Sequence, residues 1–259
     1  MILGLTVPGR AAIRASVAPI YHDPYVASVQ ITQRLSGHEV ELLEEQDDWF
    51  RVRGADGYEG WIHVGFLSPV PPNGSRRSMP VPRISLGCVT RAPNGTRRHL
   101  PLGARLSPDE VVKAGEAINE IERATRFPAE PVAITRSAQD LFESTPYLWG
   151  GTTPWGADCS GFVQSIFGLH GVQLPRDAWQ QSTAGTDAGA LMDLKPADLV
   201  FFSDREDHRV THVALALGGR HLVHLALGRG GYANENLEDR KDPYVGKLHE
   251  RFLRARRVL

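Results

Sequence analysis

A proline-rich segment at residues 69–75 places the first limit on how this chain can fold. It carries Pro69, Pro71 and Pro72 and ends in Asn-Gly-Ser, a composition that neither a helix interior nor a central strand accommodates. We therefore predict a linker at this point. The 259 residues then form at least two folding units.

Short β-type runs fill the chain before this linker. They occupy residues 39–43, 49–52 and 60–64. Glycine and aspartate residues separate them, as turns require. This pattern predicts a small all-β barrel or sandwich.

The pattern between residues 76 and 133 is less regular. Short β-like pieces precede Ser-Pro-Asp-Glu at residues 107–110, which has the form of a helix N-terminal capping box. The β-branched pair Val111 and Val112, followed by Gly115, disfavours a helix beyond that box. The sequence therefore leaves both a helix and a strand open for this stretch.

Helical and β-type patterns follow one another in the last part of the chain. Apolar residues recur at helical spacing from Ile134 until Pro146 ends the run, and a second amphipathic stretch runs from Cys159 to about Gly171. Strands are predicted at residues 198–202, 211–217 and 221–225. Helices followed by strands indicate an α+β domain.

Cys159 is the candidate nucleophile, because it stands at the predicted N-terminus of the second helix, a position that stabilises a thiolate. Asp158 and Ser160 flank it, and helix capping is the alternative role for both. Cys88 is the one other cysteine. Two cysteines do not make a disulfide scaffold, and we do not expect these two to be bridged.

His212 is the candidate base, at the start of a predicted strand in which small residues share its face. His224 on the next strand would orient it, as the third member of a triad does. The two share a face only if the connection has an odd number of residues or a bulge, and a three-residue turn at 218–220 meets that need. Structural histidines or a metal site remain alternatives, but no metal-ligand motif accompanies them.

Charge and hydropathy exclude other classes of protein. The net charge is −1, which gives no drive toward nucleic acid. No run approaches about 18 apolar residues, so no membrane span is expected. The N-terminus lacks the features of a signal peptide. We therefore expect a cytoplasmic location, with secretion as the alternative.

Six ordered blocks carry a family resemblance. They are Pro-Tyr-Leu-Trp-Gly-Gly at 146–151, Asp-Cys-Ser-Gly-Phe-Val-Gln at 158–164, Leu-Pro-Arg-Asp at 174–177, Asp-Leu-Val-Phe-Phe at 198–202, Thr-His-Val at 211–213 and Val-His at 223–224. Together they resemble the NlpC-type bacterial cysteine peptidases, which have a papain-like core. Residues 56–62 resemble the bacterial SH3-like domains of the subgroup that cleaves γ-D-glutamyl-L-diamino acid bonds.

The resemblance implies an α+β papain-like peptidase domain at residues 134–259. Two all-β SH3-like domains would precede it, at residues 1–75 with the linker and at residues 76–133. It also implies Cys159, His212 and His224 as the catalytic set.

The resemblance further implies a set of oxyanion and substrate-binding residues. Tyr147 would stand near the oxyanion site, with core packing as its alternative role. Asp158 and Tyr58 would hold the free amine of the substrate's L-Ala. Ser160 and Trp149 complete the set, with packing as the alternative for Trp149.

We therefore expect an endopeptidase that cleaves the γ-D-Glu to L-diamino acid bond of peptidoglycan-derived peptides during murein recycling, with neither metal nor organic cofactor. A secreted enzyme that acts on intact peptidoglycan is one alternative. A non-catalytic wall-binding module is the other.

Overall fold

The computed structural model describes residues 4–70 and 82–259. Most of the expected linker at 69–75 lies outside these ranges. The chain folds as two compact units, Met1–Thr125 and Arg126–Leu259. The second unit begins before residue 134, because Phe127 packs edge-to-face on His170 at 5.6 Å within it.

The first unit opens with a seven-stranded antiparallel sheet in the order β3-β2-β6-β5-β4-β1-β7. Its strands are β1 Gly9–Ile13, β2 Val17–Tyr21, β3 Gln30–Leu35, β4 Glu39–Gln46, β5 Trp49–Arg53, β6 Glu59–His63 and β7 Leu67–Pro69, with a 3-10 turn at Val64–Phe66. Alternate residues such as Phe50, Val52 and Ile62 fill one core. The predicted β-runs are confirmed, and the expected all-β class with them.

A second sheet completes the first unit. It contains β8 Arg83–Arg91, β9 Arg97–Leu100, β10 Arg105–Leu106 and β11 Val111–Asn119, with β8 in the centre. Leu35 from β3 packs with Cys88, Leu100 and Leu106 in one cluster. The two small sheets share this core and therefore lie in one compact unit. The expected division into two domains at residue 75 stays a prediction.

The capping-box pattern at residues 107–110 does not begin a helix. The Ser107 N–H does donate to the Glu110 carboxylate, at 3.2 Å. That carboxylate is also held by Arg98 at 3.2 Å, and strand β11 follows directly at Val111. The β-branched pair and the buried ion pair outweigh the local helix signal.

The second unit has helices on a six-stranded antiparallel sheet. After α1 Glu120–Arg126 come α2 Pro131–Phe142, β12 Thr152–Thr153, β13 Gly156–Ala157, α3 Cys159–Leu169, α4 Ala178–Gln181, β14 Thr186–Asp187, β15 Leu199–Phe202, β16 His212–Gly218, β17 His221–Ala226, a 3-10 turn at Leu227–Arg229, β18 Gly231–Asn236, α5 Pro243–Arg251 and β19 Phe252–Arg257. The sheet order is β14-β19-β15-β16-β17-β18. The expected α+β class is confirmed, as are the two helices and three strands predicted within it.

Helix α3 lies in the centre of this unit. Its apolar stripe packs against β16, β17 and α2, and the rings of Phe142 and Phe162 meet at 5.0 Å. Burial of a whole helix face in this way fixes the position of its first turn. The first turn of α3 therefore stands at the start of β16.

The connection between β16 and β17 differs from the expected three-residue turn. Gly218 pairs with His221, and a register shift lies between Ala216 and Gly218. Two residues with positive φ, Gly219 and Arg220, close the hairpin. The bulge supplies the extra residue, so His212 and His224 share one face as expected.

Candidate active site

Cys159 is the first residue of α3, and its thiol is nearly buried, with 7% of the residue exposed. Burial and the charge of Asp158 raise the pKa of this thiol to about 12, although hydrogen bonds from the Val213 and Ser160 N–H groups lower it. The thiol therefore keeps its proton at neutral pH. Desolvation thus opposes the thiolate that the helix N-terminus favours.

Two histidines from the neighbouring strands β16 and β17 lie in contact. His212 Nε2 is 2.8 Å from His224 Nδ1, and His224 is fully buried. Burial, together with the charge of Arg251, holds the pKa of His212 well below its usual value. His212 is thus a neutral imidazole at neutral pH, the form in which it can accept a proton.

Glu235 on β18 extends this pair. Its Oε1 lies 3.3 Å from His224 Nε2, and Arg229 donates to both of its oxygens, at 2.7 and 2.9 Å. The sequence did not reveal Glu235 as a site residue. Strand alternation places Glu235, Leu222 and His224 on one face only once the pairing of β17 with β18 is known.

Asp158 is held by a set of donors that the sequence did not reveal. Its Oδ1 accepts from the Gly161 N–H at 2.7 Å, and its Oδ2 from the Gly150 N–H at 2.8 Å. Arg176 donates to both oxygens, at 3.0 and 2.6 Å, and its side chain is 1% exposed. Asp158 therefore caps α3 and forms a buried ion pair beside the thiol.

Ser160 and Tyr147 also lie near the thiol. The Ser160 hydroxyl accepts from Arg176 at 2.9 Å and donates to Asp158 at 3.3 Å. Tyr147 is half-buried. Burial, then the charges of Cys159 and Asp158, raises the pKa of Tyr147. Its hydroxyl therefore remains protonated and can donate a hydrogen bond.

Trp149 and Tyr58 are the remaining two predicted residues. Trp149 is 62% exposed, on the loop that precedes β12. Tyr58 belongs to the first unit, in the turn between β5 and β6, where its N–H donates to Asp56 at 3.1 Å. Arg34 holds that aspartate with two hydrogen bonds, at 2.9 and 2.6 Å.

Both cysteines are free thiols. Within residues 4–70 and 82–259, no group of three or more His, Cys, Asp or Glu side chains is arranged to hold a metal ion. No helix in those ranges combines the length and apolar character that a membrane crossing needs.

Comparison with known proteins indicates a cysteine peptidase domain that follows a bacterial SH3 domain. The model of the NlpC/P60 family matches residues 144–247, and that of the bacterial SH3 domain matches residues 25–68. The chain is 27% identical to the γ-D-glutamyl-L-lysine dipeptidyl-peptidase of Bacillus cereus, over 74% of this chain and 66% of that protein. It is 30% identical to the Bacillus subtilis protein of that name, over 74% of this chain and 71% of that protein.

A solved structure agrees at the level of the fold. The crystal structure of an NlpC/P60 family protein from Bacillus cereus ATCC 10987 matches 97% of this chain and 100% of its own length, with a TM-score of 0.80 at 20% identity. By sequence and by family model, the chain belongs to the NlpC/P60 family of cysteine peptidases, with a bacterial SH3 domain ahead of the peptidase domain.

Proposed function

We propose that this chain hydrolyses the γ-D-Glu to L-diamino acid bond of peptidoglycan-derived peptides. The observation that supports it best is the contact between the Cys159 thiol at the start of α3 and the N–H of Val213, the residue directly after His212, whose ring is held 2.8 Å from His224. The names of the two Bacillus relatives supply the bond and one diamino acid, L-lysine.

In the proposed reaction, the Cys159 proton passes to His212 while Sγ bonds to the γ-carbonyl carbon of D-Glu. The backbone N–H of Cys159 and the Tyr147 hydroxyl stabilise the charge that develops on the carbonyl oxygen. His212 then protonates the leaving amine as the C–N bond breaks. Water adds to the thioester, His212 takes its proton, and the thiol leaves with that proton restored.

His224 acts through His212 in this mechanism. A histidine that bonds only one ring nitrogen of the base fixes its orientation and leaves the other nitrogen for the thiol. His224 is fully buried and its rotation is restrained by packing, since the Tyr244 ring meets it edge-on at 5.7 Å.

The test is dipeptide release from L-Ala-γ-D-Glu-L-Lys and from the diaminopimelate analogue, followed by mass spectrometry. We expect wild type and Cys88→Ala to release L-Ala-γ-D-Glu, because Cys88 lies in the core of the first unit. We expect Cys159→Ala to release none. Equal release by wild type and Cys159→Ala would contradict the proposal.

We extend the proposal to a requirement for the free amine of L-Ala, with Asp158 and Tyr58 as its partners. In intact wall this nitrogen is bonded to the muramyl group, so such a requirement would suit cytoplasmic recycling of free peptides. The measurement compares kcat/KM for the free peptide, its N-acetyl form and its muramyl-linked form. Equal values would remove the amine role and favour a wall hydrolase.

A further inference from the structure

The proposed mechanism leaves one buried carboxylate of the histidine cluster without a role. Glu235 is 5% exposed and lies 3.3 Å from Nε2 of His224, on the side away from His212. Arg229 balances its charge within the fold. A buried carboxylate that contacts a fully buried histidine constrains where that histidine carries its proton.

The chemistry of Glu235, His224 and His212 determines which of them donates and which accepts each hydrogen bond. Burial raises the pKa of Glu235, but hydrogen bonds from His224 and Arg229 hold it below its usual value, so the carboxylate is ionised and can only accept. His224 Nε2 must then donate. With His224 as the neutral imidazole, which is the premise of the proposal below, Nδ1 is left as an acceptor, so Nε2 of His212 donates to it across 2.8 Å.

From this order we propose that Glu235 is a positioning residue that sets the tautomers of both histidines and so keeps Nδ1 of His212 free of a proton. This inference rests on the peptidase mechanism proposed above. The S–H bond of Cys159 breaks, its proton forms the Nδ1–H bond of His212, and the electron pair stays on sulfur for attack. With the opposite tautomer, Nδ1 of His212 would already carry a proton and could not accept this one.

A purely architectural role is the competing explanation. Arg229 bridges Glu235 to Asp242 and lies 4.5 Å from the Tyr244 ring centre, so Glu235 also ties β18 to the start of α5. Loss of that tie would change the free energy of unfolding. It would not change which ring nitrogen of His212 carries a proton.

Glu235→Gln separates the two explanations because it preserves size and shape. His224 Nε2 and Arg229 Nε both face Oε1, and an Arg229 Nη2–H donates to Oε2, so in either orientation the amide NH₂ group of the variant opposes one Arg229 donor and carries no negative charge. The strong preference for a proton on His224 Nε2 is then lost, and the opposite proton order becomes populated. We expect kcat to fall by about 10–100-fold at unchanged KM, as loss of a hydrogen-bonded partner behind a functional histidine does elsewhere. Glu235→Asp restores the accepting group and should recover part of this loss.

Asp242→Asn is the matched control. It removes the other carboxylate that Arg229 holds, yet it keeps a capping side chain at the start of α5 and touches neither histidine in the hydrogen bonds described. We expect kcat within about twofold of wild type, with a change in thermal stability similar to that of Glu235→Gln. A loss of kcat in Asp242→Asn as large as that in Glu235→Gln would overturn the proposal in favour of the architectural role.

The direct measurement is ¹⁵N-edited NMR of the histidine rings at about pH 7, which needs no substrate. In wild type we expect protonated Nε2 on both His212 and His224, and in Glu235→Gln a mixture in which protonated Nδ1 is also populated on both. Protonated Nδ1 on His212 in wild type overturns the proposal, even if the variant fails to fold. If no peptide is cleaved but wild type shows the expected tautomers, the proposed function fails and the assignment of Glu235 stands.

Discussion

The buried ion pair between Asp158 and Arg176 offers the sharpest stability test, because its two members should tolerate loss of the partner unequally. In Asp158→Asn the guanidinium stays buried and charged, since arginine does not release its proton in proteins. In Arg176→Met the Asp158 carboxylate keeps the Gly150 and Gly161 N–H groups and can also take up a proton.

The structure sets the magnitudes. Breaking a buried pair by removing one partner costs about 3–5 kcal/mol, and Arg176 donates to both carboxylate oxygens of this pair, at 3.0 and 2.6 Å. We expect this full cost for Asp158→Asn and about 1–3 kcal/mol for Arg176→Met, in which only a partly satisfied acceptor remains. The double variant should cost less than the sum of the two, by about 2 kcal/mol.

The assay is urea unfolding followed by circular dichroism, with Tm as a second readout. A loss of about 3–5 kcal/mol lowers Tm by about 6–20 °C for a chain of this size. A matched control is Arg205→Met, since Arg205 forms an exposed ion pair with Asp207 and should cost about 1 kcal/mol or less. The reasoning is refuted if Asp158→Asn costs no more than Arg205→Met, or if the costs of the two single variants simply add.

Three further predictions follow from the buried groups and from α3. Alkylation of Cys159 by iodoacetamide should accelerate about tenfold per pH unit from about pH 7 to 9, with Cys88 resolved by peptide mapping. A rate that stays constant across this pH range would contradict a thiol pKa of about 12. Burial lowers the pKa of His38 to about 4, so the native state binds fewer protons than the unfolded chain between about pH 6.5 and 4 and loses stability as the pH falls. His38→Gln should lack that loss in urea unfolding at pH 7, 5.5 and 4, and parallel curves for variant and wild type would refute it. A Cβ at Gly161 would overlap a backbone carbonyl oxygen, whereas one at Gly168 in the same helix would meet nothing; Gly168→Ala should raise the free energy of unfolding by about 0.5–1 kcal/mol and Gly161→Ala should lower it, with equal effects as the contrary result.

Elements with a strong local period could be read from the sequence. Helix α3 is predictable because its apolar stripe begins at Cys159 and a glycine follows its end. Strand β9 is not, because Arg97–Leu100 carries two arginines and little alternation. Arg98 is accommodated there by Glu110, a partner twelve residues away whose proximity only the folded sheet creates.

The active-site residues likewise divide into those with a local sequence signal and those that only the fold brings together. Cys159 and His212 have local signals, a helix start and an alternating strand. Arg176 and Glu235 do not, because burial of a charged residue becomes favourable only next to its partner. Arg176 meets Asp158 across 18 residues and Glu235 meets His224 across 11, so neither pairing has a sequence period to reveal it.

The proposed amine role of Asp158 has to be reconciled with its full set of hydrogen bonds. Five donor contacts already reach its two oxygens, from Gly150, Gly161, Ser160 and twice from Arg176, and a carboxylate offers about four lone-pair directions. A substrate ammonium that binds Asp158 must therefore share or displace one of these donors, and it meets a charge that Arg176 has already balanced.

Arg176→Met consequently tests the amine role in a way that loss of Asp158 cannot. It frees two acceptor directions and the negative charge while the carboxylate stays in place. If Asp158 holds the ammonium, the ratio of kcat/KM for the free peptide to that for its N-acetyl form should rise in Arg176→Met, even though the variant is less stable. If the ratio is unchanged, Asp158 serves the helix and the ion pair alone, and selectivity for the free amine must come from other acceptors.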